Sequence, residues 1–209
     1  MSRRTGLILD FGGVLTTSVP ACAVGFDRRA GLPEGMFLSV IAKNPEGAAL
    51  YADLERGTIT QAEWNERTGA LLGIDGTNLL GRVLLDLHPE PSVIAAAQAA
   101  RAQGVRVGIF SNSLGSEPHD VYAGYDFDRL YDTVLISEHY KLRKPDAEIY
   151  TIMLGLMELP GEACVFVDDT ARNLPPAEDL GIATILAKEP ADTIAQMEAI
   201  LGMPLTARR

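Results

Sequence analysis

Leu7-Ile8-Leu9-Asp10-Phe11-Gly12-Gly13-Val14-Leu15-Thr16 is the stretch from which the rest of the chain is best read. It is a short apolar run that ends in a carboxylate, followed by two glycines and a second apolar pair. Such a run has the look of a strand buried on both faces. Asp10 then falls at the strand's carboxyl end, where open parallel sheets place their ligands. Gly12 and Gly13 allow a sharp turn and a close approach of the backbone to a bound group. A strand that simply stops at an Asp and turns at Gly-Gly is common, so the meaning of the stretch depends on the rest of the chain.

The chain has 209 residues, enough for one domain with an insertion or for two small domains. Its 28 acidic and 18 basic residues leave a net charge of −10. That balance argues against nucleic acid or an anionic membrane as the main partner. Cys22 and Cys164 lie far apart and match neither a disulfide framework nor a clustered metal-ligand spacing. No apolar run reaches the length of a membrane span. The basic start Met1-Ser2-Arg3-Arg4 is followed by an apolar run that breaks at Asp10, too short for a signal peptide. A cytoplasmic protein is expected.

From about residue 20 to residue 87 the signals are helical. Residues 37–41 fit a short helix, and residues 48–56 fit another that stops at Gly57. Thr60 and Glu63 have capping-box spacing and open a helix carrying Trp64, Leu71 and Leu72 that ends at Gly73. Leu79, Leu80, Val83, Leu84 and Leu87 recur on one helical face. From Pro89 onward, strands and helices alternate. Apolar strands are expected at 105–110, 133–136, 164–167 and 183–186, with helices at 92–103, 146–157, 175–180 and 192–201. The Arg208-Arg209 tail is expected to fray. This alternation predicts an α/β fold with a doubly wound parallel sheet covered on both faces.

Four strand ends then converge on one sheet edge. They carry Asp10, then Ser111 with Asn112, then the Lys144-Pro145 loop, then Asp168 with Asp169. Each has an ordinary explanation: a turn, a surface lysine, a helix cap. All of these would have to hold at once for the site to vanish.

These pieces resemble the haloacid dehalogenase (HAD) superfamily. The matching segments are Asp10-Phe11-Gly12-Gly13-Val14-Leu15-Thr16, Phe110-Ser111-Asn112, Lys144-Pro145-Asp146, and Phe166-Val167-Asp168-Asp169, with Asn173 a few residues further on. They stand in the family's order and span its catalytic domain. The branch that includes sugar phosphatases and the phosphatase-like domain of soluble epoxide hydrolases is the most similar. The resemblance implies a Rossmann-like core of residues 1–16 and 89–209, with a helical C1 cap of residues 17–88 inserted after the first strand.

It also implies roles. Asp10 is the expected nucleophile, forming an aspartyl-phosphate. Asp10, the Gly12 carbonyl and Asp168 are the expected ligands of Mg²⁺. Gly12, Gly13, Ser111, Asn112 and Lys144 are expected to hold the phosphate, with Lys144 neutralising its charge. Asp169 is expected to hold Lys144 or a metal-bound water, and Asn173 to support that loop. The implied partner is a small phosphorylated molecule; the chain itself says nothing of its oligomeric state.

One departure stands out. Most phosphatases of the family carry an Asp two residues after the nucleophile as general acid and base, and here that position is Gly12. Its side chain can give no proton to a leaving group. The leading expectation is a Mg²⁺-dependent phosphatase. The alternatives are a metal-independent dehalogenase-type hydrolase and a degenerate, non-catalytic binding or regulatory member. A phosphonatase would need a cap lysine, and the cap has only Lys43. Trp64, Tyr51, Arg67 and Lys43 could face a substrate, with cap core the preferred reading for Trp64 and Tyr51. His88, His119 and His139 are too scattered to form a ligand set, and His119 is read as part of a surface loop.

Overall fold

The computed structural model describes residues 4–206. The Arg208-Arg209 tail lies outside that range, as do the first three residues. Five strands form one all-parallel sheet: β1 (Gly6–Leu9), β2 (Arg106–Ser111), β3 (Thr133–Ile136), β4 (Cys164–Asp168) and β5 (Ala183–Leu186). Their order is β3-β2-β1-β4-β5. β1 is therefore central, with Leu9 level with Ile109 of β2 and with Val167 of β4. The chain order reverses around β1. The carboxyl ends of β1 and β4 thus flank the crevice where doubly wound sheets bind ligands.

Alternation along the strands sorts side chains to two faces. Leu7, Leu9, Val107, Ile109, Val165 and Val167 are buried on one face. That face packs against α6 (Pro91–Ala102) and α10 (Pro190–Leu201). Ile8, Phe110, Leu135 and Phe166 are buried on the other, with Ile149, Tyr150 and Met153 of α8 (Ala147–Met157). The short α9 (Pro175–Asp179) packs beside α8.

Between β1 and α6 the described chain is helical, as its sequence pattern suggests. It holds α1 (Val19–Ala30), α2 (Met36–Lys43), α3 (Pro45–Glu55), α4 (Gln61–Leu72) and α5 (Leu79–Val83). α3 begins three residues earlier than expected, because the Asn44 side chain caps it by accepting from the amides of Glu46 and Gly47. α4 starts at the Thr60/Glu63 capping box. Trp64 is fully buried, with Phe37 and Tyr51 packed edge-on or tilted around it. This apolar centre belongs to one continuous cluster with the core beneath, which also holds Phe11, Val14 and Leu15. A four-residue helix, α7 (Phe127–Leu130), has no counterpart in the sequence reading. It is too short to leave a periodic signal and is held by edge-on and tilted contacts of Phe127 with Phe11, Tyr122 and Tyr131.

Candidate active site

Lys144 sits at the centre of the sheet edge. Its side chain is 1% exposed. The ammonium stands 2.9 Å from Asp10 Oδ1 and 2.7 Å from Asp168 Oδ2, and donates to the Phe110 carbonyl at 2.8 Å. It also lies over the Phe110 and Phe166 rings. Burial pushes this ammonium down, but the two carboxylates outweigh it and hold it above the usual lysine range. Asn112 fixes the lysine's backbone: its side-chain amide accepts from Lys144 N–H at 2.8 Å and donates to Lys144 C=O at 3.1 Å. The ends of β2 and β1 and the loop before α8 are thereby tied around one charge.

Asp168 is fully buried and accepts from Asn173 Nδ2 through both oxygens, and from Thr170 N–H at 2.8 Å. Asn173 thus orients Asp168 directly. Of the two roles expected for Asp169, holding Lys144 or a metal-bound water, the first is not the arrangement seen: the ammonium's hydrogen-bond and ion-pair partners are Asp10, Asp168 and a carbonyl, and Asp169 accepts from the Thr170 hydroxyl. The Asp169 carboxylate instead packs against Gly13, whose φ of 78° and lack of a side chain make room for it. Ser111 shares a 2.9 Å hydrogen bond with the Tyr122 hydroxyl.

One oxygen each from Asp10, Asp168 and Asp169 lie within 4.8 Å of one another. Burial pushes the Asp10 carboxyl well up; Lys144 opposes this, and Asp168 and Asp169 add to it. Burial, then Asp168, does the same to Asp169. Three crowded carboxylates against one ammonium leave an excess of negative charge. Oxygen donors with that spacing suit a small divalent cation such as Mg²⁺, which keeps waters and takes one or two carboxylates plus a substrate oxygen. The residues fit the ion.

A cavity of about 320 Å³ opens above this edge. Asp10, Gly12, Ser111, Asn112, Lys144, Asp169 and Asn173 all line it. Tyr51 packs on Trp64 within the helical segment's core, as expected, and also lines the cavity, whereas Trp64 is core alone. Arg67 is exposed and pairs with Glu46, and neither it, Lys43 nor His119 lines the cavity. Sequence reasoning missed Glu55, Tyr122, Arg143 and Arg172, which do. Glu55 ends α3, and nothing in its neighbours in sequence sets it apart from a surface acid. It accepts from Asn112 Nδ2 at 3.3 Å, and Arg143 Nε stands 2.8 Å from its Oε2 as an ion pair not aligned for a hydrogen bond. Burial raises the Glu55 carboxyl, and Arg143 opposes the shift. Arg143 adjoins Lys144, so its place beside that motif was the one available clue.

Removing the central cation has a calculable cost. Lys144→Met should destabilise the fold by about 3–5 kcal/mol, the usual penalty for stripping a partner from buried charge. Denaturant melts measure it. The loss should shrink as pH falls, because Asp10, already pushed upward, then takes a proton and stops repelling its neighbours. An unchanged midpoint at neutral pH would show that Lys144 is not carrying the cluster.

The sheet order, the converging motifs and the helical insertion define an α/β core of the HAD type. The family of haloacid dehalogenase-like hydrolases matches residues 5–181, and the chain belongs to it. It is 33% identical over 216 residues to the bifunctional epoxide hydrolase 2 of Sus scrofa, covering 95% of this chain and 39% of that one. It is 24% identical to the sesquiterpene phosphatase astK of Aspergillus oryzae, covering 93% and 95% of the two chains. Other curated relatives are much longer, and the chain spans 19% of one and 38% of another. Among solved structures, the magnesium complex of the HAD family enzyme bt-2542 from Bacteroides thetaiotaomicron superposes with a TM-score of 0.69 at 19% identity, covering 90% of this chain and 94% of that one.

Proposed function

We propose that the protein is a Mg²⁺-dependent phosphatase that hydrolyses a small phosphate monoester through an aspartyl-phosphate on Asp10. The observation that carries this reading is Lys144 held between Asp10 and Asp168 on the floor of a cavity, with a third carboxylate beside them. A dehalogenase has no evident use for three converging carboxylates. Relatives named as phosphatases support the same reading.

Asp10 Oδ2, free of the bonds that Lys144 and the Phe11 amide make to Oδ1, is the oxygen suited to attack phosphorus. The P–O bond to the leaving group breaks and its electron pair departs with that oxygen. Lys144 and the Ser111 hydroxyl would hold the phosphoryl oxygens as their charge develops. Mg²⁺, held by Asp10, the Gly12 carbonyl and Asp168 with the Asp169 carboxylate beside them, would supply further positive charge to the transferring group. Water then attacks the aspartyl-phosphate and frees Asp10. Release of p-nitrophenol from p-nitrophenyl phosphate, with Mg²⁺ and with EDTA, tests this. Activity should be lost with EDTA and return with excess Mg²⁺. Chloride release from a 2-chloroacid without metal would favour the dehalogenase instead.

Residues 17–88 serve, in this reading, as a cap over a core of residues 1–16 and 89–209. The two crossing segments pair with each other: Thr17 N–H donates to His88 C=O, and Glu90 N–H to Leu15 C=O. The tip of α3 is separately bonded to the core through Arg56–Asp146 and Lys141–Gly57. A phosphate analogue should raise amide protection at residues 16–19, 88–91 and 55–57 in hydrogen exchange. Unchanged protection at all three would count against a moving lid. No helix among the described residues is long and apolar enough to cross a membrane. Cys22 and Cys164 are buried and unpaired, in keeping with the cytoplasmic setting proposed.

A further inference from the structure

Resting on the phosphatase reading, we propose that the leaving group is a hydrocarbon-rich alcohol or phenol rather than a sugar. The cavity is divided by chemistry. The strand ends and the loops beside them supply its charged and hydroxylic groups. The helical segment supplies almost none. From α2 and α3 come Leu38, Ile41, Ala42 and Ala48, and Leu84 and Leu87 add to them. Leu38 and Leu87 are only half-buried and Ala42 is exposed, so the fold leaves their apolar surface for a ligand to cover.

The polar exceptions on that side are Tyr51 and Glu55. Glu55 is already engaged by Asn112 and Arg143. A sugar phosphate would bring several hydroxyls into this wall and leave most without partners, and each buried, unpaired hydroxyl is costly. A hydrocarbon meets no such penalty. Arg143 and Arg172 stand among the lining residues with Lys144, which suits an anionic phosphate at the end of an apolar body.

A series of para-alkylphenyl phosphates tests this. Lengthening the alkyl chain scarcely alters the basicity of the leaving phenol, so rate differences report contact with the wall. kcat/KM should rise about threefold per methylene from phenyl to butylphenyl, roughly 100-fold in all, and then level off. Binding of the matching alkylphenyl phosphonates should follow the same slope by calorimetry. Ala42→Phe should fill the cavity and flatten the slope, and Leu38→Gln should halve it or more if the first variant does not fold. A flat or falling series, or a hexose phosphate turned over faster than butylphenyl phosphate, overturns the proposal while leaving a phosphatase. A phosphonate slope without hydrolysis of any ester keeps the apolar site and overturns the phosphatase. Neither turnover nor a binding slope overturns both.

Discussion

Asp10→Asn should reduce phosphatase turnover by at least about 10³-fold, the scale on which a covalent catalyst fails without its nucleophile. The fold should survive. The amide is nearly isosteric, and its oxygen can still accept from the Phe11 N–H that now donates to Asp10 Oδ1 at 2.7 Å. Lys144 keeps its 2.7 Å partner Asp168 and its bond to the Phe110 carbonyl. One negative charge also leaves a site that holds an excess of them, so thermal stability should hold or rise. Asp168→Asn should act differently. It leaves the nucleophile in place but weakens the carboxylate set, so the Mg²⁺ concentration for half-maximal rate should increase. Steady-state rates and metal titrations of both variants separate the two roles. Wild-type rates in both variants would refute the assignment, as would activity that EDTA leaves untouched.

Gly12→Asp should raise the rate, by up to the ~10²–10⁴-fold that a positioned general acid and base supplies. In the native chain no carboxylate stands at this position to protonate the leaving oxygen or to activate water. Aryl and acyl phosphates should therefore outpace alkyl phosphates, and breakdown of the aspartyl-phosphate should be slow. Rapid mixing should then show a burst of leaving group before steady turnover. The structure removes the steric objection to the variant. A Cβ built on Gly12 meets nothing within 4 Å, and Gly12 is not among the residues with positive φ. Its neighbour is the contrast: Gly13 has a φ of 78° and the Asp169 carboxylate lies directly against it. Gly12→Asp should fold, and Gly13→Asp should not. A folded Gly12→Asp with unchanged rates, and a wild type with no burst, would mean that another group handles the proton. Glu55 is then the side chain to replace, since it lines the cavity and burial raises its carboxyl. His119 is not among the lining residues.

The features legible in the amino-acid order were those written in local pattern. Apolar runs that end in Asp, Ser or Asp-Asp mark strands whose ends share an edge, because parallel strands joined by helices all point one way. The helices between residues 19 and 83 announce themselves by caps and spacing, as Thr60 with Glu63 does. The residues on the sheet edge, Asp10, Ser111, Lys144 and Asp168, could therefore be picked out from the chain alone. Their electrostatics and surroundings needed the folded molecule. Lys144 reads as a surface lysine in isolation; its near-complete burial between two carboxylates comes from the meeting of β1, β4 and a loop far apart in sequence. The position of Asp169 against Gly13 rather than Lys144 depends on side-chain packing, which periodicity does not encode. Glu55 and Arg143 meet across 88 residues because α3 folds back onto the edge of the sheet. The apolar wall facing the charged floor likewise arises from where the helical segment docks. Pattern in one dimension reports burial and turn chemistry; the pairing of distant charges and the shape of a cavity exist only once the chain has closed on itself.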